Sequence, residues 1–181
     1  MLRKPWKHRP LVCSTVFVVA GLLALWKPIE NEFWQLRVPA TGSDHVRFYP
    51  VGAVDYLERT GFSGNVMVPF EQGSYLSWKL TPDVKVSVDS RYEVAYEPEW
   101  VERTLQFYEV GPDWKSVLDE YSTDAILVLT GSPLMKALEE QLADQWSKRY
   151  EDPGYSLFVA TSNADRYPQE YREELPPGPF P

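Results

Sequence analysis

Apolar residues fall along this 181-residue chain in three patterns, each predicting a different kind of element. Residues 11–26, Leu-Val-Cys-Ser-Thr-Val-Phe-Val-Val-Ala-Gly-Leu-Leu-Ala-Leu-Trp, form one unbroken uncharged run. As a helix it is about 24 Å long, and the flanking Trp6 and Trp26 extend it to about 30 Å, the thickness of a bilayer's hydrocarbon core. The second pattern is alternation: Val84, Val86 and Val88 are separated by Lys85 and Ser87, which predicts a half-buried strand over 84–88. The third is the short continuous run. Asn65–Phe70 and Ala125–Leu129 read as strands buried on both faces, the second as the centre of a sheet.

Helical spacing fills the intervals between these strands. Val51–Thr60 has an apolar face through Val54, Tyr56 and Leu57 and stops at Gly61. Glu71-Gln72-Gly73 reads as a turn into one or two helical turns over Ser74–Leu80, with Tyr75, Leu76, Trp78 and Leu80 largely buried. Glu97-Pro98-Glu99 opens a helix carrying Trp100, Val101, Leu105 and Tyr108, which Gly111-Pro112 ends. Asp113 is placed to cap the next helix, with Trp114, Val117, Leu118 and Tyr121 at i, i+3, i+4 and i+7. Ser132-Pro133 starts a further helix through Leu134, Leu138 and Leu142. Trp146–Glu151 and Tyr155–Ala160 form a hairpin across Asp152-Pro153-Gly154.

Strands separated by helices pair in parallel, with helices covering the sheet. The expected fold class is α/β: an N-terminal transmembrane helix, then a small mainly parallel sheet flanked by helices, with a C-terminal antiparallel hairpin at its edge. The expected organisation is a basic cytoplasmic segment (1–10), the membrane helix (11–26), a juxtamembrane connector (27–49), an extracytoplasmic α/β domain (50–160) and a disordered Pro-rich tail (161–181). Polar and Pro-rich composition beyond Thr161 is the basis for the last of these.

Charge sets the orientation. Arg3, Lys4, Lys7 and Arg9 precede the apolar run with no acid among them, which puts the N-terminus in the cytoplasm and the bulk of the chain outside. A cleaved signal peptide is the alternative, but Ala24-Leu25-Trp26 sets a bulky ring where cleavage needs a small residue. Formal net charge is −8, and beyond residue 10 only 14 of the 18 bases remain against all 26 acids. Such a body is unsuited to a nucleic-acid backbone. A single cysteine, Cys13, excludes a disulfide framework and a cysteine-based zinc site, and two distant histidines, His8 and His45, make a histidine metal site unexpected. No cofactor is expected either, because neither a phosphate loop nor a dinucleotide glycine motif occurs.

No catalytic pattern stands out, so the candidates are binding residues. Asp89 and Arg91 follow strand 84–88 directly, where open α/β sheets place ligand-facing groups. Arg91 suits a phosphate or carboxylate and Asp89 a hydroxyl, although the two residues can equally pair with each other. Glu71, Gly73 and Tyr75 follow the neighbouring strand, and if the two strands are parallel they leave at the same edge. Tyr75 and Trp78 are candidate sugar-stacking rings, with buried packing as the plainer use. Ser132 starts a helix whose free amides suit a phosphate, or it is an ordinary cap.

One order of motifs is familiar. Gly64-Asn65-Val66-Met67-Val68-Pro69-Phe70-Glu71-Gln72-Gly73-Ser74-Tyr75-Leu76-Ser77-Trp78-Lys79-Leu80 is followed by Val86-Ser87-Val88-Asp89-Ser90-Arg91. Trp114-Lys115-Ser116-Val117-Leu118, Asp124 through Leu129, and Trp146 through Val159 come after it. This order resembles the extracytoplasmic C-terminal domain of GT-C-type, mannosyltransferase-like multi-pass membrane proteins that use polyprenyl-phosphate sugars. The resemblance covers roughly residues 11–160. The catalytic carboxylate of that class lies in an early loop among many membrane helices, which this chain lacks, so no catalytic residue transfers.

The single uncharged run predicts one membrane pass, and with it the resemblance implies a non-catalytic envelope protein that associates with the bilayer and with a membrane glycosyltransferase or polyprenyl-linked sugar. An enzyme acting on a phosphorylated or sugar substrate at Asp89, Arg91 and Glu71 is the second reading. A purely structural cell-envelope interaction domain is the third.

Overall fold

The structure, a computed structural model, describes residues 49–174. The basic segment, the apolar run 11–26, nearly all of the connector and the last seven residues lie outside the described residues. Among the described residues no helix is long and apolar enough to cross a membrane.

The chain runs α1 (Val51–Arg59), β1 (Gly64–Met67), α2 (Phe70–Leu80), β2 (Val84–Val86), α3 (Tyr92–Ala95), α4 (Pro98–Tyr108) and α5 (Ser116–Glu120). It continues through β3 (Ala125–Leu129), α6 (Pro133–Gln141), β4 (Trp146–Glu151), β5 (Tyr155–Ala160), α7 (Thr161–Ala164) and β6 (Glu170–Tyr171). The strands form one mixed six-stranded sheet in the order β2-β1-β3-β5-β4-β6. β1 pairs in parallel with both β2 and β3, and β4 pairs in parallel with β6. β5 is antiparallel to β3 and to β4.

Period-two alternation divides the sheet between two cores. Val66, Ala125, Leu127, Tyr155, Leu157 and Val159 face one side, packed against Val54 and Leu57 of α1 and Leu76 and Leu80 of α2. Met67, Ile126, Val128 and Phe158 face the other, against Phe107 of α4, Val117 of α5, and Leu134 and Leu138 of α6. Ala125, Ile126, Leu127 and Val128 are fully buried, which agrees with β3 as an interior strand. Each of the larger side chains contributes about 1.5–3 kcal/mol by leaving water.

The hairpin departs from its expected place. β5 docks on β3, so the hairpin is built into the sheet and β6 forms that edge. The chain after Ala160 is also not a loose tail over its described part, since residues 161–174 contain α7 and β6. Composition misleads here because β4 supplies ladder partners and a few side chains supply the packing. Tyr56 Oη donates to the Pro168 carbonyl at 2.7 Å, and the Phe62 and Tyr167 rings lie 5.4 Å apart. Arg172 pairs with Asp55 at 3.0 Å and with Glu170 at 2.7 Å.

Two helix boundaries differ as well. The segment expected to be one or two turns is an eleven-residue helix, α2, that begins at Phe70. Pro69 sits extended at its N-cap (φ −60°, ψ 148°), so Glu71-Gln72-Gly73 lies inside the helix, not in a turn before it. Asp113 does not cap a helix with its side chain. It has φ 57°, its carbonyl accepts from Ser116 N at 2.9 Å, and α5 is only five residues long. At the end of α4 the left-handed position is occupied by Val110 (φ 55°), one residue before the expected Gly111. Val110 N and Gly111 N donate back to Phe107 O and Gln106 O, which closes the helix.

Candidate functional site

Because β2, β1 and β3 are parallel, their carboxyl ends share one edge of the sheet, and α2 and α6 both start there. The two helices cover opposite faces, so β1 and β3 flank a point where successive connections diverge, the usual location of ligand sites in open α/β sheets. The loop after β2 delivers Asp89 and Arg91 to this edge.

Local chemistry explains that loop. Ser87 N continues the ladder to Val66 O at 3.0 Å, and Ser87 Oγ accepts from Val68 N at 3.0 Å just before Pro69 ends the strand. Trp100 Nε1 donates to Ser87 O at 2.9 Å, tying the segment to α4. Val88 is fully buried and its carbonyl lies directly under Gly73. A Cβ at Gly73 would meet Val88 O at 1.8 Å, so only glycine allows α2 to approach this backbone. One residue later, Ser74 Oγ lies 2.7 Å from Ser90 Oγ and accepts from Ser90 N at 3.1 Å.

Asp89 is 2% exposed, and a buried carboxylate without partners would cost several kcal/mol. Its partners come from two residues ahead. Arg91 N donates to Oδ1 at 2.9 Å, Arg91 Nε to Oδ1 and Oδ2 at 3.0 Å each, and Arg91 Nη2 to Oδ2 at 2.6 Å. Ser77 of α2 and the Tyr96 phenol also reach the carboxylate, and Tyr96 touches Arg91. The Arg91 guanidinium holds the Asp89 carboxyl below its usual range, against the opposing push of burial. The same pairing raises Arg91 further, so it stays charged. Asp89 is therefore an anchor that stays ionised, not a proton acceptor kept available for substrate.

Arg91 is the opposite case, with a side chain 69% exposed. A guanidinium carries five N–H donors in a rigid fork, and Asp89 engages those on Nε and Nη2. The result is a fixed cation presented to solvent beside the first turns of α2. Such a group loses little freedom when it binds a phosphate or carboxylate.

The other expected residues divide clearly. Gly73 joins this cluster as the point of helix-to-loop contact. Glu71 lies in the first turn of α2 and is exposed. Tyr75 is half-buried and packs on Tyr49 at 5.1 Å and Trp78 at 6.1 Å, so it belongs to a neighbouring aromatic face. Ser132 caps α6, its Oγ accepting from Met135 N at 3.2 Å, on the opposite face of the sheet from α2. Trp114 and Trp146 are core, while Trp78, expected to be largely buried, is 59% exposed.

Sequence reasoning missed Ser74, Ser77, Ser90 and Tyr96. Their signal was faint: Gly73, Ser74 and Ser77 lie at i, i+1 and i+4, a small-residue stripe on a helix that packs closely on a loop. The grooves of about 490 Å³ beside Arg103, Gln106 and Trp114 and about 350 Å³ beside Leu57, Lys79 and Val84 lie elsewhere. Among the described residues no group of three or more His, Cys, Asp or Glu is placed to hold a metal. Comparison with protein-family models, with curated proteins and with solved structures finds no match for this chain.

Proposed function

We propose that this chain is a membrane-anchored, non-catalytic domain that sits outside the cytoplasmic membrane and binds a polyprenyl-phosphate-linked sugar, in company with a membrane glycosyltransferase. The observation that carries the reading is Arg91, an exposed guanidinium fixed by a buried carboxylate at the carboxyl edge of a parallel strand pair. An anion such as the lipid-linked phosphate is the ligand that geometry favours. The uncharged run 11–26 and the GT-C-like order of motifs support the membrane setting. Asp89 positions Arg91 and takes no part in chemistry.

The test is binding of the full-length chain to phosphatidylcholine vesicles that carry a polyprenyl-phosphate mannose, compared with the same vesicles lacking it. Arg91→Ala should reduce the sugar-lipid-dependent component roughly tenfold or more, the usual effect of deleting a charge-assisted hydrogen-bonding partner. Arg91→Lys should retain part of it. Wild-type binding by a folded Arg91→Ala chain refutes the reading.

A further inference from the structure

Helix α2 presents a second surface beside the Arg91 site. Glu71, Tyr75, Trp78 and Lys79 follow helical spacing along its outer side, and Trp78 also lies one turn on from Ser74, at i+4, so the two surfaces adjoin. Trp78 is 59% exposed on a fold that buries Trp114 and Trp146. It belongs to a connected row of rings. Tyr75 meets it edge-on at 6.1 Å, and Tyr49 lies on Tyr75 at 5.1 Å. Lys79 Nζ stands 4.4 Å from the centre of the Trp78 ring. The charged groups at this face are Lys79, Glu71 and Glu58, the last acting on Tyr75 from α1.

We infer that this face, Tyr49, Tyr75, Trp78 and Lys79, lies on the lipid headgroup layer of the membrane. Two observations select that occupant. The composition is that of an interfacial belt, in which Trp and Tyr place an apolar ring and a polar tip at the boundary and a Lys ammonium reaches the phosphates. The second is position along the chain, because Tyr49, a member of the face, lies only 23 residues beyond Trp26. The uncharged run ends at Trp26, and the 22 residues 27–48 reach at most about 75 Å whatever conformation they take. An anchored chain therefore meets the bilayer at an effective concentration on the order of millimolar, so weak partitioning by a few aromatic rings is enough. The inference rests on the membrane-anchored reading and deepens it.

The experiment uses the full-length chain in phosphatidylcholine vesicles, with Trp78→Phe as the comparison. That change keeps an apolar ring at an exposed position, and the emission it removes is that of Trp78. The expected result is that this emission is quenched by lipids with brominated acyl chains and loses its quenching by aqueous acrylamide when vesicles are present. Emission that acrylamide quenches equally with and without vesicles overturns the inference. So does emission that ignores brominated lipid but shifts on addition of a mannose oligosaccharide, which would make the face a sugar platform. Extraction of the chain by carbonate refutes the anchor separately, since the Trp78 quenching is read at neutral pH before that wash.

Discussion

Replacing Gly73 by Ala tests the packing that builds the candidate site. Helix propensity alone makes this change favourable, because Gly73 lies inside α2 and Ala is preferred over Gly within a helix by about 1 kcal/mol. The structure reverses the sign. The added Cβ would lie 1.8 Å from Val88 O, 2.8 Å from Val88 C and 3.0 Å from the Asp89 Cα, all backbone atoms that cannot rotate away. An ordinary carbon-to-oxygen contact is about 3.3 Å, so α2 and the loop after β2 must separate by roughly 1.5 Å. Overpacking of this kind costs about 1–3 kcal/mol. Separation also breaks the Ser74–Ser90 contacts at 2.7 and 3.1 Å, at about 1 kcal/mol each. Set against the helix preference, the net is about 2–4 kcal/mol of destabilisation. Urea unfolding followed by circular dichroism reads this as a midpoint about 1 M or more below wild type. A midpoint equal to or above wild type would show that the helix does not press on Val88, and the construction of the site would fall with it.

Three further outcomes follow from the same geometry. Arg91→Ala removes the cation that depresses the Asp89 carboxyl and leaves burial, which raises it. In wild type the pair's contribution is present above the unfolded carboxylate value of about 3.9 and is lost as pH falls through the lower folded value, so the gap between wild type and Arg91→Ala should be wide at pH 7 and close on acidification. A gap that is constant from pH 7 to pH 3 in urea titrations contradicts the pairing. Ser132→Ala deletes the N-cap of α6 and should cost about 1 kcal/mol without altering sugar-lipid binding, whereas a loss of binding would restore Ser132 to the site. Stopping the chain after Ala160 removes the Tyr56–Pro168 hydrogen bond, the Phe62–Tyr167 ring pair, the Arg172 ion pairs and β6. This should lower stability by at least about 3 kcal/mol in thermal unfolding, and a truncated chain as stable as the whole would show that these contacts contribute nothing.

The sequence alone determined the elements whose signal is local. The run Ala-Ile-Leu-Val-Leu gave β3, Asp152-Pro153-Gly154 gave the hairpin with both strands to the residue, and Ser132-Pro133 gave the start of α6. It also put Asp89 and Arg91 at the end of a strand, because alternation that breaks into charge is visible in one dimension. Tertiary structure decided everything that depends on a partner distant in the chain. Residues 161–174 look too polar to fold, yet β4, Tyr56 and Asp55 give them pairing and contacts that composition does not record. Gly73 reads as a turn residue until Val88, fifteen positions away, is brought against it. Trp78 reads as core by residue type, and only the direction in which α2 packs leaves it in solvent. The roles of Asp89 and Arg91 diverge for the same reason. Two charges two residues apart look equivalent in a sequence, but burial under α2 makes one an internal anchor and leaves the other exposed to solvent.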